Sequence, residues 1–517
     1  MIHHRPALRA AAAAASLLLL TACVGGGQSA EDPTGAGGPA SPAASGGAEE
    51  QPPIPEGLER FYNQELEWTA CEDTFDCTEV EVPLDYARPD AETIRLALIR
   101  KRGTEPRGTL LVNPGGPGAS GVDMVRTGAS AMFSADLRSG YNVVGFDPRG
   151  VSRSAPVTCQ TDAERDADRQ AEWDTSSDEG LEAAEDASAE YAAACEEQTG
   201  VSLAFVDTVS SARDLDVLRA VNGDARLNYL GYSYGTKLGA TYADLFPSNV
   251  GRMVLDGALD PSLENEEVTL AQAAAFESEI DAYLEDCLRT EGCPFDGGVD
   301  GAKSQLQQLF TDIEANPLTA ADGRLVPIGD FVGGFIVPLY ENAAWPTLTD
   351  ALAAAMQGDP TPMQALADLG AGRNPDGTYT GNAADAYTAI NCLDYNMATD
   401  LETQEANAVE LEEASPTLGG YLAFGGTTCK DWPYPPTGDP EPVSAPDAAP
   451  IVVVGTTGDP ATPYEWAVSL NKQLASSVLV TFEGHGHTAY GRSNECIGDA
   501  VDAYLLEGTV PTDGLTC

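Results

Sequence analysis

Apolar and polar residues alternate along two segments near the start of the regular part of the chain. "CTEVEVPLDY" and "TIRLALIRKR" both follow this period of two, which is typical of half-buried strands, and "ARPDAE" between them fits a hairpin turn. Two short apolar runs follow, "GTLLVNPGGPG" and "GYNVVGFDPRG", and each ends in a glycine-containing segment. Such runs predict buried parallel strands that lead into functional loops.

Helical spacing appears next, in "DTVSSARDLDVLRAVNG". Asp207 or Thr208 can cap the start of this helix, and Gly223 follows its end. Strand and helix signals then alternate through "RLNYLGYS", "YGTKLGATYADLFP", "VGRMVLDG", "APIVVVGTTGD", "SSVLVTFEGHG" and "ECIGDAVDAYLLEG". Strands that alternate with helices predict an α/β fold, with a mostly parallel sheet and helices on both of its faces.

A long stretch of different character interrupts this alternation. Residues 261–448 hold Ala-rich helical patterns and Gly/Pro-rich loops, and about 190 residues are too many for a connecting loop. We therefore expect an inserted, mainly helical cap, with the sheet domain built from residues 58–260 and 449–517. A smaller acidic and Ala-rich segment, 158–200, is bounded by Cys159 and Cys195. It is expected to form a solvated surface flap.

The N-terminus has the pattern of an export signal. Arg5 and Arg9 lie at the start of an apolar run, and residues 1–22 fit a secretory signal peptide that is too short for a comfortable membrane span. The sequence "LTAC" resembles a bacterial lipobox, which implies that Cys23 becomes the lipidated first residue of the mature protein. An ordinary signal peptide with an unmodified Cys23 is the alternative. Residues 23–57 are rich in Gly, Pro, Ala and Ser and predict a flexible tether.

These features predict an exported protein at the outer face of the bacterial cytoplasmic membrane or in the cell envelope, either anchored through its lipid or released. The 517 residues carry a formal net charge of −54, which repels nucleic acid and anionic membrane surfaces. We therefore expect no nucleic-acid partner and no membrane contact except through the lipid at Cys23. The simplest role of the charge is a heavily solvated surface.

Ten cysteines remain once Cys23 is set aside, and an even number in an exported chain favours disulfides. The chain has no C-x-x-C pair and only four histidines, so we expect no zinc site, no other metal and no cofactor. The spacing of the cysteines suggests local pairs, namely Cys71–Cys77, Cys159–Cys195, Cys287–Cys293, Cys392–Cys429 and Cys496–Cys517.

The segment "GYSYG" places Ser233 between a predicted strand and a predicted helix, which is the context of a nucleophile elbow. Gly231 and Gly235 remove Cβ atoms where such a turn is crowded, and the N-terminus of the helix favours negative charge beside the serine. A serine hydroxyl is a weak nucleophile at neutral pH. It needs an adjacent base, an acid that orients the base, and donors aimed at the oxyanion.

Candidates for the base and the acid lie in the late part of the chain. Two of the four histidines fall in the signal peptide, which leaves His485 and His487 after the last predicted strand. The chain order Ser–Asp–His requires the base there. His487 lies deeper in the loop and is favoured, whereas His485 is the alternative. Asp459, directly after the strand "IVVVG", is the favoured acid, and Asp256 after "RMVL" is its rival.

The oxyanion hole requires two backbone N–H groups. One belongs to Tyr234, the residue after the nucleophile, and the other is expected from the loop after an early strand. "NPGGPG" occupies that place. Its prolines lack an N–H, so Gly115, Gly116 and Gly118 are the candidates, and we choose Gly116.

These segments together resemble a known family. "LLVNPGGPGASG", "VVGFDPRGVSRS", "LNYLGYSYGTKLGATYADLFPSNVGRMVLDGALDP", "GTTGDPATP" and "GHGHTAYG" resemble the secreted tripeptidyl-aminopeptidase family of actinobacteria, an α/β-hydrolase branch related to prolyl aminopeptidases and with a TAP-like C-terminal region. The resemblance runs from about residue 60 to the end and is weakest in the flap and the cap. Prolyl aminopeptidases have His where Pro114 stands here, but the tripeptidyl branch shares the proline. The family pattern Gly-x-Gly-His-Thr also points to His487.

The resemblance implies a serine exopeptidase that releases short peptides, tripeptides in particular, from free N-termini through a Ser233 acyl-enzyme. Such an enzyme must recognise the ammonium group of its peptide substrate, and Asp394 and Glu341 in the cap are candidate partners. A carboxylesterase or lipase with the same triad is the alternative enzyme. A surface lipoprotein that binds without catalysis is the alternative of another class.

Overall fold

A computed structural model describes residues 51–72, 74–171 and 177–517. The predicted signal peptide, Cys23 and most of the predicted tether lie outside the described residues. The strands of the described part are β1 (Thr69–Glu72), β2 (Phe75–Pro83), β3 (Thr93–Lys101), β4 (Thr109–Asn113), β5 (Asn142–Phe146), β6 (Leu227–Tyr232), β7 (Val250–Asp256), β8 (Leu318–Thr319), β9 (Leu325–Val326), β10 (Ile451–Gly458), β11 (Ser477–His485) and β12 (Leu515–Thr516).

The helices alternate with these strands and also fill the insertion. In chain order they are α1 (Glu59–Tyr62), α2 (Gly121–Asp123), α3 (Ala129–Met132), α4 (Ala135–Gly140), α5 (Asp162–Arg169), α6 (Asp178–Thr199), α7 (Thr208–Val221), α8 (Tyr234–Leu245), α9 (Asn265–Arg289), α10 (Gly298–Ala315), α11 (Ile328–Ile336), α12 (Trp345–Ala355), α13 (Thr361–Ala371), α14 (Ala383–Asp394), α15 (Leu401–Ala414), α16 (Gly419–Leu422), α17 (Tyr464–Gln473) and α18 (Glu495–Glu507). Asp207 caps α7 by accepting the N–H of Ser210, as its sequence predicts.

Ten of the described strands form one sheet in the order β1-β2-β3-β5-β4-β6-β7-β10-β11-β12. The pairs from β5 to β12 are parallel, whereas β1, β2 and β3 add an antiparallel edge that includes the predicted hairpin. The expectation of a mostly parallel sheet is confirmed. Strands β4, β6, β7, β10 and β11 are parallel, so their carboxyl ends lie on the same side of the sheet. The loops that follow them meet there.

Alternate residues of the buried strands pack into two apolar clusters, one on each face of the sheet. Leu111 and Val144 face a cluster that contains residues of α7, α8 and α17. Leu110 and Val112 face the opposite cluster, which contains residues of α4 and α18. Burial of each such side chain contributes about 1.5–3 kcal/mol to folding. The sheet therefore has helices on both faces, as the strand and helix pattern predicts.

The insertion between β7 and β10 has an apolar core of its own. Helices α9 to α13 supply most of that core, in which Phe310 packs edge-on against Phe331 and Phe335. Helix α14 is different, because its apolar residues belong to the main cluster of the sheet domain. The predicted cap of residues 261–448 thus contains one helix that packs on the sheet domain. The domain boundaries themselves stay a prediction.

The predicted flap, 158–200, is not only a solvated surface segment, because it also packs against the rest of the protein. Cys159 and Cys195 are buried in the main cluster. Arg165 pairs with Asp385 of α14 at 2.7 Å, and Arg169 of α5 pairs with a carboxylate of α11 at 2.9 Å. Since both carboxylates lie in the insertion, the flap joins the sheet domain to the helices above it.

The five disulfides suggested by the cysteine spacing are confirmed. The bonded pairs are Cys71–Cys77, Cys159–Cys195, Cys287–Cys293, Cys392–Cys429 and Cys496–Cys517. Over the ranges that the structure describes, no helix combines the length and the apolar content needed to cross a membrane.

Candidate active site

Ser233 lies in the turn between β6 and α8, with a φ of 54° and a ψ of −126°. A positive φ is uncommon for a residue with a side chain and costs free energy, so the surroundings must hold it. The N–H of Ser233 donates to the carbonyl oxygen of Asp256 at 2.9 Å, and its carbonyl accepts the N–H of Thr236 at 2.8 Å. The turn thus has the geometry expected of a nucleophile elbow.

The two glycines of "GYSYG" lie where there is no room for a side chain. A Cβ on Gly231 would lie 2.4 Å from the carbonyl oxygen of Gly235, and a Cβ on Gly235 would lie 2.8 Å from Oδ1 of Asn113. Both contacts are closer than real Cβ atoms approach polar atoms. The glycines therefore let the serine turn pack against the end of β4, where the predicted oxyanion loop begins.

His487 and Asp459 form a buried pair. His487 Nδ1 is 2.9 Å and 3.0 Å from the two carboxylate oxygens of Asp459. The two residues are only 1% and 3% exposed. Because Nδ1 is engaged by the carboxylate, Nε2 is the ring nitrogen that can accept a proton. The pair has the contact required between a catalytic base and its orienting acid.

The Asp459 carboxylate is held by several donors besides the imidazole. It accepts the N–H groups of Ala461, Thr462 and Thr488 at 2.9, 2.8 and 3.1 Å, as well as the Thr462 hydroxyl at 2.9 Å. Burial raises the pKa of Asp459, but the charge of His487 and these hydrogen bonds outweigh it and hold the pKa below its usual value. The acid therefore remains ionised and able to orient the imidazole.

His485, the alternative base, has a different partner. Its Nδ1 lies 2.8 Å from Oε2 of Glu279 on helix α9, and its side chain is 47% exposed. The hydrogen bond to Glu279 raises the pKa of His485. Burial raises the pKa of Glu279, and His485 opposes this shift. His485 thus joins the insertion to the loop that carries His487.

Asp256, the alternative acid, is fully buried but forms no hydrogen bond with His485 or His487. Its carboxylate accepts the N–H of Ala489 at 3.0 and 3.1 Å and the N–H of Tyr490 at 2.7 Å. Burial raises the pKa of Asp256 to about 6, against the effect of these N–H groups and of the charges of Arg492 and His487. Of the two candidate acids, Asp459 is the one beside the histidine ring.

The segment "NPGGPG" lies against the serine turn. A Cβ on Gly115 would lie 2.9 Å from Cβ of Ser233 and 3.0 Å from the backbone nitrogen of Tyr234. The N–H of Gly115 is already used, because it donates to Oδ1 of Asn113 at 2.9 Å. Within the described ranges, the N–H groups of Gly116, Gly118 and Tyr234 donate to no protein acceptor. The chosen pair, Gly116 and Tyr234, is therefore free to bind a developing oxyanion, and so is the alternative donor Gly118.

No hydrogen bond joins Ser233 to His487 among the described residues. Ser233 and His487 follow strands that end on the same side of the sheet, β6 and β11, with β7 and β10 between them. A Cβ on Gly257, after β7, would lie 3.3 Å from Cε1 of His487. Hydrogen bonds between nucleophile and base are often long in unliganded enzymes and tighten when substrate binds.

The two carboxylates considered for the substrate ammonium differ in their surroundings. Asp394 is buried and pairs with Nζ of Lys237 at 3.1 Å, and it accepts the N–H and the hydroxyl of Thr208 at 2.9 and 2.5 Å. Glu341 is half-buried and has no ion pair with another described residue. The charge of Asp394 is thus already neutralised by Lys237, whereas that of Glu341 is not.

The insertion supplies contacts that the sequence does not reveal. Tyr340 accepts the N–H of His487 with its carbonyl oxygen at 2.8 Å, and its ring meets the imidazole edge-on with centroids 5.3 Å apart. Gln272 of α9 donates to the carbonyl oxygen of Ala461 at 2.7 Å. Backbone carbonyls are the same in every residue, so no sequence signal marks Tyr340. The buried Glu279 could be noticed only once α9 is placed beside β11.

Comparisons with known proteins agree with this geometry. A family model described as TAP-like protein matches residues 415–517, and one described as alpha/beta hydrolase fold matches residues 108–305. Serine protease Hip1 of Mycobacterium tuberculosis is 38% identical over 479 residues, which cover 88% of this chain and 91% of the relative. A protein of the same species named carboxylesterase B is 38% identical over 472 residues, covering 88% of this chain and 90% of its own.

A third relative, the tripeptidyl aminopeptidase of Streptomyces coelicolor, is 33% identical over 455 residues, which cover 85% of this chain and 82% of the relative. The fold and these similarities define a serine hydrolase of the α/β-hydrolase class. Within that class, the chain belongs to the TAP-like family that includes the Streptomyces tripeptidyl aminopeptidases and the mycobacterial protease Hip1.

Proposed function

We propose that this protein is a serine exopeptidase that releases short peptides, tripeptides in particular, from free N-termini. Ser233 would be the nucleophile, His487 the base and Asp459 the orienting acid. The buried contact between His487 Nδ1 and Asp459 carries the proposal, because it leaves Nε2 as the basic nitrogen of the ring. The His487 loop and the Ser233 turn both follow carboxyl ends of strands on the same side of the sheet. Two relatives are named as a serine protease and a tripeptidyl aminopeptidase, which supports a peptide substrate.

In the proposed reaction, His487 Nε2 takes the proton of Ser233 Oγ while Oγ bonds to the scissile carbonyl carbon. The N–H groups of Gly116 and Tyr234 would bind the oxyanion of the tetrahedral intermediate. His487 then returns the proton to the leaving amine as the C–N bond breaks, which leaves an acyl-enzyme on Ser233. A water molecule, deprotonated by His487, releases the N-terminal peptide and restores the serine.

The nucleophile is tested by labelling with a fluorophosphonate probe, which reacts covalently with activated serines. Wild type should be labelled, and Ser233→Ala should lose the label while its melting temperature stays near that of wild type. Ser248, an exposed residue of the short 3-10 helix Pro247–Asn249 after α8, gives a control, and Ser248→Ala should be labelled at the wild-type rate. An unlabelled wild type, under conditions that label another serine hydrolase, would favour the alternative of a binding lipoprotein without catalysis.

Peptidase and esterase activity use the same triad, so substrate tests must separate them. A relative is named carboxylesterase B, which makes a carboxylesterase the second candidate function. We expect hydrolysis of a free tripeptide anilide and almost none of its N-acetylated form. A preference for short acyl esters over both anilides would favour the esterase. The product lengths from one defined oligopeptide would then test the preference for tripeptides.

Recognition of the substrate ammonium is assigned in this proposal to Glu341. Glu341 directly follows Tyr340, whose carbonyl oxygen holds the His487 N–H. A Cβ on Gly486, the residue before His487, would lie 3.5 Å from the Cα of Glu341. This position, together with the lack of an ion pair within the described ranges, favours Glu341 over Asp394, which is neutralised by Lys237. A carboxylate beside the site would attract a free N-terminus.

Glu341→Gln should raise KM for the free tripeptide anilide on the order of tenfold, with a smaller effect on kcat, because one charged hydrogen bond would be lost. Glu465→Gln, at an exposed position on α17, is the control and should leave KM unchanged. An unchanged KM in Glu341→Gln would remove Glu341 from this role without affecting the triad.

Export and lipid anchoring are part of the proposal and rest on the sequence of the N-terminus alone. Cells fed an alkyne fatty acid should incorporate it into wild type but not into Cys23→Ser. Wild type should sediment with membranes after cell fractionation, while Cys23→Ser should appear in the soluble exported fraction. Equal distribution of the two proteins would contradict lipidation and favour an ordinary signal peptide.

A further inference from the structure

Asp256 occupies the last position of β7, between the strand that precedes Ser233 and the strand that precedes Asp459. It is 0% exposed and forms no ion pair with another described residue. A buried carboxylate without a direct ion-pair partner is costly, so its presence calls for a function that a neutral side chain serves less well. The contacts of Asp256 indicate what that function is.

Asp256 contacts both halves of the candidate site. Its carbonyl oxygen accepts the N–H of Ser233 at 2.9 Å. Its carboxylate accepts the N–H groups of Ala489 and Tyr490, two and three residues after His487, at 2.7–3.1 Å. Asp256 thus links the serine turn to the histidine loop through its own hydrogen bonds.

The histidine loop needs such an acceptor. Thr488, directly after His487, has a positive φ of 68°, and this unfavourable conformation turns the chain away from β11. Thr488 donates its N–H to Asp459, so the following N–H groups point toward β7 and would be unsatisfied in the interior without Asp256. An ionised carboxylate is the acceptor that binds two adjacent N–H groups most strongly.

We propose that Asp256 is a positioning residue, which fixes the His487 loop relative to the Ser233 turn and so sets the distance over which the proton is transferred. The inference rests on the roles of Ser233 and His487 in the proposed function. It assigns to Asp256 no contact with substrate. Its effect should appear in the rate of acylation and not in the binding of substrate.

The test compares Asp256→Asn with Asp224→Asn. Asp224 is the control, because it is a half-buried carboxylate whose pKa is also raised to about 6 by burial, and it accepts the N–H of Thr109 at 3.1 Å. Thr109 is the first residue of β4, and the candidate site lies at the other end of the strands. Both variants remove one carboxylate charge and weaken hydrogen bonds to backbone N–H groups, but only Asp256→Asn alters the histidine loop.

Per folded molecule, Asp256→Asn should lower kcat and the fluorophosphonate labelling rate on the order of 10-fold to 100-fold, since small misplacements of reacting groups have effects of this size. KM should stay within about threefold if no substrate contact is lost. Asp224→Asn should keep both rates within about twofold of wild type. Amide hydrogen exchange at Ala489 and Tyr490 should be faster in Asp256→Asn only.

Asp256→Ala provides a second variant and should lose more rate than Asp256→Asn, because alanine offers neither N–H an acceptor. If Asp256→Ala does not fold, Asp256→Asn decides alone. Equal labelling rates in folded Asp256→Asn and Asp224→Asn would overturn the inference while leaving the triad intact. A wild type that resists labelling would instead contradict the proposed function, and the inference with it.

Discussion

The N–H of His487 donates to the carbonyl oxygen of Tyr340 at 2.8 Å, so the inserted region holds the backbone of the proposed base directly. The Tyr340 ring also packs edge-on against the imidazole, at an angle of 89°. Tyr340 closes a short 3-10 helix, Val337–Tyr340, that follows α11. The insertion is therefore part of the candidate site and not only a cover over it.

The ring of Tyr340 should matter more than its hydroxyl. Tyr340→Ala removes the edge-on contact and should lower kcat on the order of tenfold, because the imidazole gains freedom to turn. Tyr340→Phe keeps the ring and should retain nearly full activity. Steady-state kinetics on one tripeptide anilide compare the two. Equal losses in both variants would mean that the hydroxyl, and not the packing of the ring, is what the site uses.

Asp459→Asn should lower kcat by roughly 10,000-fold, because an amide that donates to Nδ1 stabilises the wrong imidazole tautomer; in a serine protease triad the same exchange has this effect. The variant should remain folded, since asparagine keeps one acceptor for the surrounding N–H groups. Single-turnover acylation is the suitable measurement.

Thr462→Val is the control for that experiment. It removes only the hydroxyl that Asp459 accepts at 2.9 Å. Acylation in Thr462→Val should fall less than about tenfold, because one neutral hydrogen bond contributes about 1 kcal/mol. If Asp459→Asn acylates as fast as Thr462→Val, Asp459 is not the orienting acid.

Gly115→Ala should inactivate the protein, because the added methyl group would clash with the serine turn. A Cβ at this position would lie 2.6 Å from the Tyr232 carbonyl oxygen and 2.9 Å from Cβ of Ser233, with a φ of 98°. The serine turn or the oxyanion segment must then move, and the labelling rate should drop on the order of 100-fold or more.

Gly223→Ala separates this steric effect from backbone strain. Gly223 also has a positive φ, 85°, but no atom lies within 4 Å of a Cβ built on it. The variant should lose about 1 kcal/mol of unfolding free energy and keep its activity. Urea denaturation and probe labelling give the two quantities. Similar inactivation of both variants would show that strain, and not crowding at Ser233, is responsible.

The buried carboxylate of Asp256 should leave a signature in the pH dependence of stability. Its pKa is about 6 in the folded protein, against a usual value of 3.8. The folded state therefore binds the proton more tightly, and the contribution of Asp256 to stability decreases as pH rises from about 4 to about 6. Asp256→Asn lacks this titration. The charged groups that face it, Arg492 and His487, are present in both proteins.

Relative to Asp256→Asn, wild type should thus lose up to roughly 3 kcal/mol of unfolding free energy across that pH range, since each pKa unit corresponds to 1.36 kcal/mol. Urea unfolding at pH 4.5, 5.5 and 7 in parallel gives the difference. A difference that stays constant with pH, or rises with it, would contradict the raised pKa of Asp256.

Local patterns accounted for much of the fold. The period-two segments became the β2–β3 hairpin, the apolar runs became parallel strands, and Asp207 capped α7 as expected. The five disulfide pairs also followed from spacing, because each pair lies within 37 positions of chain. These features depend on neighbours in sequence, where side-chain period, turn residues and loop length act directly.

The sequence by itself determined which residues could do the chemistry: a serine in a strand–helix turn, and two histidines around the end of the last long strand. It did not determine which histidine meets which acid. Tertiary structure decided that His487 contacts Asp459, that His485 contacts Glu279, and that Asp256 supports the histidine loop. The reason is physical. These contacts join segments far apart in the chain, and several use backbone groups that every residue shares, so only the packing of the sheet and the insertion selects them.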